Sequence, residues 1–267
     1  MTIKNIIIKN TALNTFIWLL WRDVRALRKT FINQWLDFSF LLCTVVILNT
    51  YFMPFMGVSK SFGVLMLTSQ IAASLAWVIT GDAGVWAYDL QGSKSILYEL
   101  TLPITYRLVY LKYACAFAIK SVSINLATLP IGILLVFKVI DFGAISPIKF
   151  LGAYLLSAVV FAFFNLFVVV LYKNVESYNR FWMRWGMIIW MFSGLFTPWA
   201  VMKKASTLAG YFLLLNPFLY IYESAHAAFM GQPGFINFWT CILAMLVFSV
   251  LFMLFGMKLF KKKLDCV

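Results

Sequence analysis

Between residues 235 and 257 the sequence runs FINFWTCILAMLVFSVLFMLFGM, 23 residues without one Asp, Glu, Lys or Arg. A helix crosses a bilayer with roughly 20 mostly apolar residues. In hydrocarbon only a helix or a closed barrel satisfies its own backbone polar groups. Five further stretches have the same character, at 36–56, 62–81, 113–137, 150–172 and 185–202. The whole chain agrees: 63% of its 267 residues are hydrophobic, 12% are charged and mean hydropathy is +0.91. Soluble domains hold about 45–50% apolar and about 25% charged residues. The expected fold class is therefore an all-α membrane protein, a single domain over 1–267 with six transmembrane helices. Soluble-enzyme, secreted-disulfide and disordered classes are excluded, and no sizeable extramembrane domain is left room.

Charge then gives orientation. The chain carries 22 Lys and Arg against 9 Asp and Glu, a net charge of +13. These charges lie in short loops, which fits headgroup contact and membrane orientation and not nucleic-acid binding. With six spans, 16 basic residues fall on the side of the termini and 5 on the other, Lys120 lying within the third span. That asymmetry predicts a multi-pass protein of the cytoplasmic (inner) membrane, with both termini in the cytoplasm. Lys120 is expected to snorkel toward the cytoplasmic end of its span.

Residues 1–10 read as a short flexible basic lead. From there Leu13, Phe16, Ile17, Leu20, Trp21, Val24, Leu27 and Phe31 recur at helical spacing, with Arg22, Arg25, Arg28 and Lys29 mostly off that stripe. The pattern predicts an amphipathic helix over 11–31 lying in the membrane interface, basic face toward headgroups. A signal peptide is disfavoured because a basic cluster, not a small-x-small cleavage site, follows the apolar run. Pro130 is expected to kink the third span.

Chemistry-bearing motifs are sparse. Gly92-Ser93-Lys94-Ser95 lacks the glycine before the lysine and the upstream loop of a nucleotide-binding P-loop. The four cysteines, Cys43, Cys115, Cys241 and Cys266, form no CxxC pair, and His226 is the one histidine, so neither a disulfide framework nor a metal site is indicated. Carboxylates are nearly absent from the middle of the spans, which disfavours an autonomous ion-driven pump; Asp37 and Asp82 sit at span ends. Two segments stand out. In the polar stretch 82–112, a glycine break at Gly92 precedes an apolar–polar helical run, Ile96 to Leu100, which Pro103 ends. The stretch 193–232 is too broken for a clean span and too apolar for a free loop. Two short external re-entrant helices would fit, the second capped by Asn216 and opened by Pro217. Glu223 and His226, three residues apart, would share one face of it, as a local pair or as contacts for a substrate headgroup.

Those segments resemble the ABC-2 family of ABC exporter permeases. The first carries Gly92, Ile96, Glu99, Leu100 and Pro103 at the family's spacing. The second carries Ser193-Gly194-Leu195-Phe196-x-Pro198, then Leu215-Asn216-Pro217-Phe218-x2-Ile221-x-Glu223. The resemblance implies a cytoplasmic coupling helix between spans 2 and 3, contacting an ATPase through residues between Tyr98 and Pro103. It also implies a working unit of two copies of the chain with two ATP-binding cassette subunits. ATP and Mg would belong to those subunits, and this chain would hold no cofactor. Size and the Ser-Gly-Leu-Phe-x-Pro segment look most like exporters of lipid-linked polysaccharides, the O-antigen, capsule and teichoic acid class. His226 stands where members often carry arginine, and Asp89 where the charge is often basic. The amphipathic substrate would pass between the two copies. Phe161, Phe164, Phe167, Trp182, Trp185 and Trp190 are channel candidates, because aromatic faces pack on sugar rings. The same aromatics also suit a lipid-facing or core position. Alternatives are an ABC-2 exporter of drugs or lipids, a membrane-embedded transferase using His226 as base, and a non-catalytic scaffold.

Overall fold

The computed structural model describes the backbone of residues 3–92 and 95–265 and the side chains of residues 11–92 and 96–264. Within those residues every regular element is helical. Helix α1 (Ile3–Leu27) is followed by α2 (Phe31–Ile47), which continues through a π turn (Leu48–Phe52) and a 3-10 turn (Met53–Met56). Next come α3 (Ser61–Gln91), the short α4 (Ser95–Thr101), α5 (Tyr106–Leu126), α6 (Leu129–Val136) and α7 (Pro147–Leu171). Then α8 (Val175–Phe181) runs through a π turn into α9 (Met187–Met191). The last four are α10 (Trp199–Ala205), α11 (Thr207–Leu213), α12 (Pro217–Phe229) and α13 (Phe238–Asp265).

Five of these runs are long and apolar enough to cross a membrane: 31–56, 61–91, 106–136, 147–171 and 238–264. Burial sorts them. The most apolar windows of α3 and α7 are 83% and 72% buried, against 22% for α13 and 28% for the run built on α2. So α3 and α7 form the interior and the others offer faces to lipid. The core is aromatic and aliphatic. Phe161 packs on Phe218 at 4.9 Å between ring centroids, joining α7 to α12, and Trp86, Tyr110 and Phe260 join α3, α5 and α13.

Several boundaries differ from the sequence reading. The first ten residues, expected as a flexible lead, are helical from Ile3, and α1 ends at Leu27, so Arg28 and Lys29 lie in the turn before α2. Helix α3 runs ten residues beyond the expected end at 81, because Ala83, Trp86 and Ala87 continue its buried face. The third span breaks near Pro130, as the sequence suggests: helix stops at Ala127–Thr128 and Pro130 takes the first turn of α6, where its missing N–H costs no hydrogen bond.

The expected fifth span, 185–202, is not one helix. A helical run occupies 175–191 and stops at a turn containing Gly194, whose φ is +86°, and Pro198. A left-handed φ favours glycine, and a Cβ there would stand 3.2 Å from Leu219 Cδ1. The 175–191 run lies alongside α3. Gln91 donates to the Lys173 carbonyl and accepts from the Val175 N–H, while near the other end Trp190 packs on Trp77, 4.8 Å between centroids. Gln91 and Ser69, which meets the turn beyond 191, are 22 residues apart on α3, roughly 33 Å of helix.

Candidate functional site

Helix α4 occupies the end of the bundle where α3 finishes and α5 begins. Gly92 closes α3 by donating its N–H to the Tyr88 carbonyl, and Asp89 accepts the Ile96 N–H at 3.1 Å, so the acid that departs from the family pattern caps the start of α4. Ser93 and Lys94, part of the P-loop-like tetrapeptide, lie outside the described residues. Ile96 and Glu99 point inward, 1% and 3% exposed, while Tyr98 points outward at 67%. Leu100 packs against Leu19, Ile104 and Val109, which fixes α4 to α1 and α5. Pro103 lies exposed in the turn that leads to α5.

Glu99 is buried because it has two cations. Arg22 Nη2 lies 2.6 Å from its Oε1, and Lys112 Nζ lies 2.9 Å from its Oε2. The Lys112 side chain is fully buried, also 3.0 Å from Asp23 Oδ2 and 3.4 Å from the Tyr113 ring centroid. Arg22 completes the ring with Asp23 Oδ1 at 2.8 Å. Two cations and two carboxylates from α1, α4 and α5 thus make a neutral cluster, the arrangement that permits buried charge. The basic residues expected to face headgroups, Arg22, Arg25, Arg28 and Lys29, are all exposed, and the Arg22 guanidinium in addition donates to Glu99. Sequence reasoning missed Asp23 and Lys112. The available signal was that Asp23 is the single acidic residue among the first 36.

A second charged pair lies deeper. Lys120 Nζ is 2.6 Å from Asp82 Oδ1, joining α5 to α3, with both side chains about one-fifth exposed. Lys120 thus pairs with a carboxylate of α3. Asp82 flanks a stripe on α3 at i, i+4, i+8, i+11, in which Trp77, Val85 and Tyr88 are exposed and Gly81 has no neighbour within 4 Å of a built Cβ. Among the aromatics singled out from sequence, Phe161 and Phe164 are core residues, 0% and 7% exposed. Phe167 packs on Phe252, and Trp182 on Phe164 and Phe181. Trp190 sits on Trp77 beside the exposed stripe, and Trp185 is itself 57% exposed.

At the opposite end, Asn216 caps α12 by accepting the Phe218 N–H and donates to the Ile189 and Phe192 carbonyls, and Pro217 opens the helix. The segment holds three short helices where two were expected. Glu223 and His226 are both fully buried and do not bond each other. Glu223 accepts the Trp199 N–H at 2.7 Å and the Ile236 N–H at 2.8 Å, pinning α10 and the approach to α13. Burial raises its carboxyl pKa, with those two N–H donors opposing. His226 Nε2 lies 2.8 Å from Ser69 Oγ, and Ser69 donates its hydroxyl hydrogen to the Leu195 carbonyl at 2.6 Å. The imidazole is therefore the donor to Ser69. Burial lowers its pKa to about 3, so it is neutral. A serine whose proton points to a carbonyl, beside a histidine that donates to it, is not arranged as nucleophile and base. Neither Glu223 nor His226 reaches the surface to touch a substrate in this conformation.

No group of three or more His, Cys, Asp and Glu side chains capable of holding a metal occurs among the described residues. No protein-family model matches the chain, and no curated protein matches it.

Proposed function

We propose that this chain is the membrane-spanning permease subunit of an ATP-driven exporter of the ABC-2 kind, working as two copies with two separate ATPase subunits. One observation carries the reading. A seven-residue helix at one end of the bundle is fastened on its inner side by the charge cluster and presents an aromatic residue, Tyr98, outward. A helix held this firmly to α1 and α5 passes a push on Tyr98 to them without bending. The sequence has no nucleotide-binding loop of its own, so the energy source would be a partner docked on that helix. ATP and Mg would sit in that partner.

In this reading the chain crosses the inner membrane six times, the 175–191 helix being the fifth crossing, with α4 and both termini in the cytoplasm. The substrate path would follow the exposed α3 stripe with Trp77, Val85, Tyr88, Trp185 and Trp190, completed by a second copy. Phe161 and Phe164 would support it from behind. Exposed aromatic faces beside the Asp82–Lys120 pair suit an amphipathic substrate with sugar rings and an anionic lipid headgroup, the lipid-linked polysaccharide class.

The test is co-purification in mild detergent with a candidate ATP-binding cassette ATPase from the same organism, comparing wild type with Tyr98→Asp. Tyr98 is exposed, so the substitution leaves the fold intact, whereas changes at Glu99 would disturb the cluster. Association retained by wild type and lost in Tyr98→Asp is the expected result. A wild-type chain that retains no ATPase refutes the exporter reading.

A further inference from the structure

Three long helices, α3, α7 and α13, end near one another beside α4, and they do not close the space between them. A cavity of about 750 Å³ remains, lined by the last residues of each and by Ile96 and Leu97 of α4. Its walls are apolar: Leu171, Leu259 and Leu264 contribute from α7 and α13. Its rim is basic. Lys173, Lys262 and Lys263 line it, and no acidic residue does so among the described residues. Lys263 is committed to the protein, donating to the Val169 and Tyr172 carbonyls and so closing the C-terminal end of α7. Lys173 and Lys262 are exposed and have no such partners among the contacts described.

An apolar chamber at the level where long helices end, with lysines in its lining and no acidic residue among the described ones, has the polarity that suits a single anionic lipid. The volume lies in the ordinary range for ligand sites, about 300–1,000 Å³. Lysines at a membrane surface attract anionic headgroups, and an acyl chain loses nothing by entering a wall of leucines. We propose that this cavity is a binding site for one anionic phospholipid of the adjoining leaflet, its phosphate between Lys173 and Lys262 and its proximal acyl segments against the leucines. The ligand is a resident lipid and not the transported substrate, because the cavity is separate from the α3 stripe. By touching Ile96 and Leu97 it would brace α4. The site does not depend on the exporter reading.

The test is native mass spectrometry of the purified full chain after equilibration with dioleoyl phosphatidylglycerol or dioleoyl phosphatidylcholine. Wild type is expected to retain the anionic lipid about tenfold over the zwitterionic one, given the pull of two lysines. In Lys173→Gln/Lys262→Gln the preference falls to about one. In Lys258→Gln/Lys261→Gln, which removes the same charge from exposed positions of α13 outside the cavity, it stays. Leu264→Trp narrows the chamber and lowers retention with every lysine present. The proposal is overturned if wild type shows no preference, or if the lysine pair outside the cavity matters as much as the pair lining it. Displacement of the bound lipid by inorganic phosphate alone would overturn it too, since the ligand would then be a free phosphate.

Discussion

Lys112→Met probes the charge cluster most directly. In the wild type Arg22 and Lys112 balance Asp23 and Glu99. Removing Lys112 leaves a net charge of −1 around a Glu99 side chain that is 4% exposed, with only Arg22 for company. Arg22 is 54% exposed, so solvent weakens its compensation. Breaking a buried pair from one side costs about 3–5 kcal/mol, most of it the penalty of the charge left behind. At roughly 2–4 °C per kcal/mol for a chain of this size, the detergent-solubilised variant melts about 6–20 °C below wild type. Glu99→Gln leaves the opposite imbalance and falls by a similar amount. The double variant Lys112→Met/Glu99→Gln keeps only the Arg22–Asp23 pair and is neutral again, so it melts above either single variant. Arg22→Gln, at the exposed edge, costs about 1 kcal/mol or less. The assay is a double-mutant cycle read by thermal melting. Additive losses, with the double variant lowest of all, would refute the idea that the cluster is one mutually compensated unit.

The remaining predictions concern the other polar sites. Asp82→Asn leaves Lys120 charged and unpaired inside a span, at a cost of about 3 kcal/mol, and Asp82→Asn/Lys120→Met regains most of it in the same melting assay. The neutral His226 makes stability fall as pH drops below about 6.5, because the unfolded imidazole takes up a proton that the folded one refuses. The slope approaches about 1.4 kcal/mol per pH unit, and the raised Glu223 carboxyl, of opposite sign, offsets part of it in the window just above 4.5, where the folded carboxyl is protonated and the unfolded one is not. His226→Gln flattens melting temperature between pH 7 and about 5, and a profile unchanged by that substitution would exclude His226 as its origin.

What the sequence disclosed and what it hid divide along one line. Features carried by neighbouring residues were legible: the long apolar runs, the break at Pro130, and the Asn216-Pro217 start of α12. Features that depend on a distant partner were not. Asp82 reads as the end of a span unless Lys120 is known to meet it, 38 residues away, and the α3 helix then has no reason to stop. Lys112 counts as a loop charge and Arg22 as a headgroup-facing charge of the interfacial helix until their carboxylates, 89 and 77 residues away for Asp23 and Glu99, are found. The fifth run is a different case. Hydropathy alone carries a span across Ser193-Gly194-Leu195-Phe196. The positive φ at Gly194 and the proline four residues on end the helix whatever the hydropathy says. Among the channel candidates, residue type alone could not separate Phe164, packed among four aromatic neighbours, from Trp185 on the outside.

Polar contacts carry unusual weight in such a chain, because lipid tails are as apolar as leucine and hydrophobicity alone does not hold one helix against another. They tie the elements into two sets. Arg22, Asp23, Glu99 and Lys112 join α1, α4 and α5 at one end. Ser69, Glu223, His226 and Asn216 join α3, the Gly194 turn, α10 and α12 at the other. Among the described residues, the ion pairs outside the first set reduce to Asp82–Lys120, which bridges α3 and α5. The Asp89 bond to the Ile96 N–H is another polar link between the sets. A load on Tyr98 therefore meets α5 and α1 first, through Glu99. Its polar route to α12 and the far end runs through α3, by way of the backbone cap at Asp89 and the ion pair at Asp82, beside an apolar route through α7, where Tyr110 stacks on Phe163 and Phe161 packs on Phe218. Those two acids lie on the helix whose exposed stripe is assigned to the substrate path, so the joint and the path would move together.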